Sequence, residues 1–438
     1  MFGIEVFAVT PVPLANVMGI ESGLAFITWQ RVIMWVAGGV LIYLGIAKKW
    51  EPLLLVPIGF GIILVNIPLG YSVMGFAMPP GASLPPGMAD WPPGYRILAD
   101  GTIAWDYLPP VWPELIEAGG QATGFLSHIF QYGFGWDLIP LFIFIGIGAM
   151  TDFSPLIARP IYFLLGAAAQ FGVYAAFFMA LGLNFTIPEA CSIGIIGGAD
   201  GPTTIFLTTR LAPWLLGATA IAAYTYMAMV PLIQPPVIRA LTTKEERKLY
   251  MAPRLREVSK LEEIVFPVVV TFVVGLLIPD ALPIIGAFML GNLLRVCGVT
   301  DRLGATMSGA FIDIVTVFLG VTVGAYVAAT SFLLPKPLLV FVLGVIAFAF
   351  ATAGGVVFAK LMNLVLPRLG QPKINPMIGA AGVSAVPMAS RVVQTMGMKA
   401  NPRNFLLMHA MGPNAAGVIG TASAAGAFLA FAGALAAV

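Results

Sequence analysis

Residues 193–204 read IGIIGGADGPTT, and this stretch dictates how the surrounding chain folds. It lies inside a long apolar tract, yet it carries a carboxylate, Asp200, together with four glycines and Pro202. Proline disfavours helical geometry at the preceding residue, and glycine weakens a helix while letting other groups approach the backbone. A charged aspartate near mid-membrane costs at least ~2.5 kcal/mol. Because such segments are typical of broken backbone around a bound ion, we predict that Asp200 forms part of a cation site.

The composition is that of a membrane protein. Of 438 residues, 59% are hydrophobic and 10% are charged, whereas a soluble domain carries roughly 25% charged residues. The mean hydropathy is +0.95. A net charge of +2 is too small to indicate a basic surface of the kind that binds nucleic acid. The two cysteines form no CxxC or Cys/His pattern, which argues against a zinc site or a disulfide framework.

The hydropathy pattern predicts an all-α, polytopic, transporter-like fold with about nine to eleven membrane-crossing elements. Two re-entrant, broken-helix regions are expected among them, around Asp200 and within residues 372–391, and a further break is expected at 409–414. The predicted apolar segments are 29–47, 52–69, 136–150, 160–183, 211–241, 264–279, 282–296, 305–330, 337–366 and 405–438.

Four regions follow from this pattern. Residues 1–135 hold N-terminal spans and a Pro-rich loop, 136–241 a first repeat, 242–262 a basic loop, and 263–438 a second repeat. Residues 239–260 contain seven of the 22 Lys and Arg residues. The positive-inside rule therefore places this stretch in the cytoplasm and the acidic 70–112 loop outside.

The two proposed repeats carry similar interruptions. Residues 200–203 (DGPT) resemble 411–414 (MGPN), and residues 145–159 resemble 378–391. Paired Gly/Pro interruptions in two halves indicate an inverted repeat with a binding site at mid-membrane.

Neutral oxygen-bearing side chains accompany the second interruption, namely Asn375, Ser384 and Asn414. Sodium is a hard cation that suits carboxylate, hydroxyl, amide and carbonyl oxygens. One aspartate with such ligands suits a monovalent ion better than a divalent one. The structural alternative for Asp200 is capping of a half-helix, and Asn375 equally suits satisfaction of a helix end.

Two further side chains have the chemistry for an anionic substrate. Arg391 has a guanidinium shaped to clamp a carboxylate, although an arginine also snorkels to the membrane interface. Tyr226 could donate a proton, while packing with one hydrogen bond is the alternative, and Tyr224 is expected on a different face of the same helix. For His409 the alternatives are gating a proton and bonding a carbonyl.

The chain resembles the beta subunits of the sodium-translocating, biotin-dependent decarboxylases that act on oxaloacetate, methylmalonyl-CoA, glutaconyl-CoA or malonate. The resemblance rests on AKKWEPLLLVPIGFG, GIGAMTDFSPL, GIIGGADGPTTIFL, AAYTYMAMVPLIQPP, INPMIGAAGVSAVPMASR and NFLLMHAMGPNAAGVIG, which cover most of residues 47–425. It implies a multi-pass subunit of the bacterial inner membrane that decarboxylates carboxybiotin, consumes a proton and exports sodium.

The resemblance also implies roles for individual residues. It assigns functional roles to Asp200, Tyr226, Asn375, Gly379, Ser384 and Arg391, with Asn414 as a further sodium ligand. The resemblance, with which the chemistry of carboxybiotin is consistent, implies catalysis by Asp200, Tyr226 and Arg391, carboxybiotin binding by Arg391 and Gly379, and sodium ligation by Asp200, Asn375, Ser384 and Asn414.

The partners are expected to be separate chains, because the sequence contains no biotin-attachment motif of the Ala-Met-Lys-Met type. They are a carboxyltransferase alpha subunit, a biotin carrier protein and a small membrane gamma or delta subunit, besides lipid and further copies of this chain. A sodium-coupled carboxylate carrier without chemistry is the competing hypothesis, and a passive membrane anchor poorly explains so many polar groups within apolar segments.

Overall fold

The computed structural model describes residues 16–17, 20–21, 26–68, 71–80, 82, 96–97, 102–105, 115–116, 119–252 and 256–436. Most of the predicted 70–112 loop, with Asp90, Asp100 and Asp106, lies outside these residues, as does Arg254 of the basic loop. The described chain is mostly helical, as predicted. Its α-helices are Trp29–Ala47, Pro52–Val65, Tyr71–Met74, Phe125–Ile129, Leu138–Met150, Ser154–Ala158, Tyr162–Ala169, Phe171–Gly182, Ile187–Gly194, Gly201–Leu211, Leu216–Ala228, Val230–Leu241, Lys244–Lys248, Lys260–Leu277, Leu282–Val296, Asp301–Thr306, Ile312–Ala325, Ala329–Phe332, Pro335–Val365, Met388–Ala400 and Leu407–Ala436.

Other helical turns link these helices. The 3₁₀ segments are Ile195–Gly198, Pro213–Leu215, Pro279–Ala281, Leu366–Leu369 and Pro376–Gly382, and the π segments are Phe130–Phe134 and Met307–Phe311.

Short strands are an element that the sequence analysis did not predict. Asn16–Val17 pairs with Ile20–Glu21. An antiparallel four-stranded sheet has the order Arg96–Ile97, Ile103–Trp105, Phe76–Met78, Gln121–Ala122. Alternation over two or three residues is too short to stand out within a Pro/Gly-rich stretch, so the pattern gave no strand signal.

The chain divides into two compact units. The first comprises Met1–Gln131 and Gly320–Leu334. Its helices Trp29–Ala47 and Pro52–Val65 pack through glycines, since a Cβ added at Gly38 would lie 2.6 Å from the carbonyl oxygen of Gly59. Small residues at such contacts let apolar helices approach closely.

The second unit comprises Tyr132–Leu319 and Pro335–Val438 and holds every predicted site residue. Among the described residues of the whole chain, five helices are long and apolar enough to cross a membrane. The number rises to seven if two helix pairs, bent by 66° and 68°, each form one span. The second of these pairs, Pro213–Ala228 with Val230–Leu241, bends within the predicted 211–241 segment.

Large apolar side chains cover the outer faces of several helices. On Lys260–Leu277, Phe272 is 68% and Leu277 is 76% exposed. Exposed apolar surface of this kind indicates a lipid-facing element in an otherwise well-packed protein.

The first predicted broken segment is confirmed. Ile187–Gly194 begins with a capping box in which Thr186 and Glu189 satisfy each other's backbone N–H groups. The helix tightens into Ile195–Gly198, and Ala199 then turns the chain with a φ of 56°. Asp200 is extended and caps the next helix, Gly201–Leu211.

The second predicted broken segment is also confirmed, because Pro376–Gly382 is only a 3₁₀ turn and the α-helix resumes at Met388. The predicted break at 409–414 is wrong, since Leu407–Ala436 is one helix with Pro413 inside it. A proline inside a helix removes only one backbone hydrogen bond, here the one to the His409 carbonyl, and the turns on both sides of Pro413 remain helical.

Candidate cation site

The two broken segments meet at their breaks. The backbone N–H of Ser384 donates to the carbonyl oxygen of Gly198 at 2.9 Å. A Cβ added at Gly198 would lie 2.6 Å from the hydroxyl oxygen of Thr421, so glycine is needed for this approach. Irregular backbone from the two predicted repeats and one face of Leu407–Ala436 therefore come together at this junction.

Asp200 is buried at this junction, with only 4% of its surface exposed. Its Oδ1 accepts a hydrogen bond from the backbone N–H of Thr203 at 3.1 Å. The predicted alternative of helix capping is thus observed. A carboxylate has about four lone-pair positions, so this bond leaves capacity for a cation.

Ser384 is joined to Thr421 and Gln170 by a chain of hydrogen bonds. The Thr421 hydroxyl donates to the amide oxygen of Gln170 at 3.2 Å, and the hydroxyls of Ser384 and Thr421 are 2.6 Å apart. Because the hydrogen of Thr421 is used, Ser384 donates in the shorter bond. The lone pairs of the Ser384 oxygen therefore stay free to ligate a cation.

Asn414 holds the second broken segment in place. Its amide nitrogen donates to the carbonyl oxygens of Ala381 at 3.1 Å and Val383 at 2.6 Å. Its Oδ1 is buried and has no hydrogen-bond partner within the described part of the chain. A buried amide oxygen without a donor suits a cation ligand.

Asn375 directly precedes the 3₁₀ turn of the second broken segment, and its side chain bonds to the basic loop. Its amide nitrogen donates to the carbonyl oxygens of Arg247 and Leu249, both at 3.0 Å. Its Oδ1 accepts from the backbone N–H of Met377 at 3.1 Å. These bonds fit the predicted alternative of helix-end satisfaction, and sodium ligation by Asn375 stays a prediction.

Gly379 lies where the second broken segment crosses Pro335–Val365. A Cβ on Gly379 would overlap the carbonyl oxygen of Gly355, and a Cβ on Gly355 would overlap that of Gly379. This contact explains the glycine by packing alone. A role in binding carboxybiotin stays a prediction.

Tyr226 and Arg391 are not joined to Asp200 by any bond found among the described residues. The hydroxyl of Tyr226 donates to the carbonyl oxygen of Phe341, and its ring covers Gly344. Arg391 is exposed on Met388–Ala400, a helix that packs against Lys244–Lys248 of the basic loop. Their predicted catalytic roles remain predictions.

The sequence analysis missed Thr421, Gln170 and Tyr224. All three are polar side chains in apolar helices, and this was the only available signal. The ring of Tyr224 covers Gly201, so of the two tyrosines it is Tyr224 that contacts the Asp200 segment. Helical periodicity predicts opposite faces for the two tyrosines, but it cannot say which face meets Asp200.

Two side chains from the second half of the chain, Asn404 and His409, bond to the basic loop. The amide nitrogen of Asn404 donates to the carbonyl oxygen of Leu249 at 2.8 Å, and its Oδ1 accepts from the N–H of Met251. The Nε2 of His409 lies 2.7 Å from the carbonyl oxygen of Ala252. The carbonyl-bonding alternative for His409 is thus confirmed.

Glu246 anchors the short helix Lys244–Lys248 of this loop. Its carboxylate lies 3.1 Å from the ammonium of Lys360 and accepts a hydrogen bond from the Thr243 N–H at 2.7 Å. Partial burial raises the pKa of Glu246, but these two partners outweigh it, so the pKa lies below its ordinary value. The pairing therefore stabilises the loop at neutral pH and is lost only as the pH falls through that lowered pKa.

The chain matches a protein family and several curated proteins over nearly its whole length. The family described as "Na+-transporting oxaloacetate decarboxylase beta subunit" matches residues 30–432. The oxaloacetate decarboxylase beta chain of Klebsiella pneumoniae is 50% identical over 421 residues, which cover 93% of this chain and 96% of that protein. The methylmalonyl-CoA decarboxylase subunit beta of Propionigenium modestum is 50% identical over 410 residues, with coverage of 93% and 96%.

The chain belongs to the family of Na⁺-transporting decarboxylase beta subunits. This confirms the resemblance seen in the sequence motifs and favours the decarboxylase interpretation over a carboxylate carrier. A beta subunit is one chain of a multi-subunit complex, and the family together with the apolar helices identifies a membrane protein. Asp200 and Ser384 lie within the matched residues, at the junction described above.

Proposed function

We propose that this beta subunit decarboxylates carboxybiotin presented by a separate carrier and couples the reaction to sodium export, consuming one proton. The observation that carries the proposal is the junction of the two broken segments, where Asp200 is buried beside the Ser384–Gly198 contact. Buried carboxylates in apolar spans are expensive and are characteristic of ion pathways.

Sodium is bound by Asp200, Ser384 and Asn414, with Asn375 as a further ligand. The free lone pairs of Ser384 and the unpartnered Oδ1 of Asn414 support this assignment. The described residues contain no group of three His, Cys, Asp or Glu side chains suited to a metal ion. A site with one carboxylate and neutral oxygens suits the single charge of sodium.

The chemical step breaks the bond between the ureido nitrogen of biotin and the carboxylate carbon. Carbon dioxide leaves, the bonding electron pair stays on nitrogen, and a proton then neutralises it. Arg391 would position the carboxylate, and Gly379 would contribute to binding carboxybiotin. Tyr226 or Asp200 passes the proton. The Tyr226 hydroxyl now donates to Phe341, so transfer from it requires that bond to open.

Coupling follows from competition between sodium and the proton for Asp200. When Asp200 is protonated it no longer attracts sodium, and the ion is released to the outside. Such competition shifts the population between states in proportion to the difference in affinity.

The chain crosses the bacterial inner membrane about nine to eleven times as an inverted repeat, with the basic loop in the cytoplasm. Contact between one broken segment from each half supports this arrangement. The complex also contains a carboxyltransferase alpha subunit, a biotin carrier protein, a small membrane gamma or delta subunit and further copies of this chain. The basic loop is the docking surface for the soluble subunits.

The decisive variant is Asp200→Asn in the assembled complex, compared with Asp280→Asn, whose residue is exposed in Pro279–Ala281. We expect Asp200→Asn to lower sodium-dependent decarboxylation by at least about 100-fold, because it removes both the charge and the proton-accepting group. The control should retain wild-type activity. Full sodium-dependent decarboxylation by Asp200→Asn would overturn the proposal.

A further inference from the structure

Tyr224 is a buried tyrosine whose hydroxyl has no hydrogen-bond partner among the residues that the structure describes. Only 2% of the residue is exposed. Leaving a buried hydroxyl without a partner is costly, because the group loses its bonds to water and gains none. A bound water or ion is one way in which such a hydroxyl is satisfied.

The ring of Tyr224 lies against the segment that follows Asp200. A Cβ added at Gly201 would lie 2.5 Å from Cζ, the ring carbon that carries the hydroxyl. Gly201 is the first residue of the helix that Asp200 caps. The phenol ring is therefore next to the residue that follows Asp200 in the chain.

Tyr226 differs from Tyr224 in its hydrogen bond and in the residue that its ring contacts. Its hydroxyl already donates to the carbonyl oxygen of Phe341, and its ring lies against Gly344. Two residues along a helix correspond to about 200° of rotation, so the two phenols leave opposite sides of Leu216–Ala228. The free hydroxyl therefore belongs to the tyrosine whose ring contacts Gly201, the residue after Asp200.

We propose that the phenol oxygen of Tyr224 is a ligand of the sodium ion that Asp200 binds. This rests on the proposed function, which assigns sodium to Asp200. A hydroxyl oxygen is a suitable neutral ligand for a hard cation, and its hydrogen remains available for the carboxylate. Gly201 is then required because any side chain there would displace the ring.

The test is thermal unfolding of the purified full-length protein in sodium chloride and in potassium chloride of equal ionic strength. Three proteins are compared: the wild type, Tyr224→Phe and the matched control Thr322→Val. Thr322 lies in the first unit and carries another buried hydroxyl without a partner among the described residues. A ligand that binds only the folded state raises Tm with its concentration, so the sodium titration gives the half-saturating concentration.

We expect Tyr224→Phe to keep or raise Tm in potassium, because it removes an unsatisfied hydroxyl. Its half-saturating sodium concentration should rise about tenfold, as expected for loss of one charge-assisted contact. Thr322→Val should keep the wild-type sodium response.

A wild-type half-saturating sodium concentration in Tyr224→Phe would overturn the ligand assignment while leaving the sodium site intact. A lower Tm of Tyr224→Phe in potassium would also overturn it, since the hydroxyl would then be structural. If the wild type itself shows no sodium-specific rise in Tm, the sodium site fails and the assignment fails with it.

Discussion

At the scale of single residues, the junction depends on side chains that are absent or small. Glycines at 198, 201 and 379 let hydroxyl, ring and carbonyl groups of other elements occupy the space of a Cβ. The sequence analysis singled out Asp200 and Ser384 because a polar side chain in an apolar tract is costly unless it has a partner or a function. It did not identify Tyr224. Helical periodicity shows that Tyr224 and Tyr226 lie on different faces of the helix, but it does not show which residues each face contacts.

Gly379→Ala should destabilise the protein strongly, because the new methyl group would overlap the backbone carbonyl of Gly355, which cannot rotate away. Overpacking of this kind costs about 1–3 kcal/mol or more. Thermal unfolding in detergent measures the effect. The matched control is Gly286→Ala in Leu282–Val296, where a Cβ would meet nothing within 4 Å. It should gain about 0.5–1 kcal/mol, and equal Tm changes in both variants would contradict the packing argument.

Ser384→Ala should raise the half-saturating sodium concentration of decarboxylation about tenfold, because it removes a neutral ligand and the bond to Thr421. The control is Ser423→Ala, whose hydroxyl donates to Ile419 within its own helix. Decarboxylation measured against sodium concentration distinguishes them. An unchanged sodium dependence in Ser384→Ala would exclude this hydroxyl from the site.

At the scale of elements, amide side chains hold the second broken segment from several sides. Gln234 donates to the carbonyl oxygen of Ala380 at 2.8 Å, and Asn414 donates to two carbonyls farther along. Both broken segments were predictable, because Gly/Pro clusters weaken a helix wherever they occur in its interior. The expected break around Pro413 was wrong, since this proline removes a single backbone hydrogen bond and the buried turns around it keep the helix continuous. Packing of neighbouring elements around a proline cannot be read from hydropathy.

Asn375→Ala should loosen the basic loop, because the carbonyl group of Arg247 loses this donor and that of Leu249 keeps only the bond from Asn404. We expect trypsin to cleave after Arg247 and Lys248 about tenfold faster, in line with the loss of two modest hydrogen bonds. Limited proteolysis followed by mass spectrometry gives the rate. The control Asn401→Ala removes two exposed bonds, one of 3.3 Å to the Lys248 carbonyl and one of 3.1 Å from the Arg403 N–H, and should change little. Equal rates in both variants would show that Asn375 does not hold the loop.

At the scale of the whole molecule, composition and hydropathy were sufficient for the class of fold. A chain with so few charges can bury its backbone in lipid only as helices or closed barrels, and its long apolar runs are helical here. The small sheet and the meeting of two distant breaks were beyond the sequence pattern, because both depend on contacts between residues far apart in the chain. The family match assigns the chain to a decarboxylase complex, and we propose the junction as the place where sodium meets the chemistry.

Replacing the basic residues of the loop should weaken assembly with the soluble subunits. The variant Lys244→Gln/Lys248→Gln removes two exposed positive charges while leaving the Glu246–Lys360 pair in place. We expect reduced co-purification of the soluble subunits, most clearly at low salt, because high salt screens the attraction of the exposed charges in the wild type as well. Lys399→Gln, which removes one exposed charge from the helix Met388–Ala400 outside the loop, is the control. Co-purification equal to that of the control would remove the loop as the docking surface.

The most direct test of the central claim is simultaneous measurement of sodium uptake and carbon dioxide release in sealed, inside-out vesicles that contain the reconstituted complex. The account predicts that the wild type accumulates sodium as carboxybiotin is decarboxylated, and that avidin or Asp200→Asn stops both processes together. Sodium accumulation that continues in the presence of avidin, or at the wild-type rate in Asp200→Asn, would contradict it.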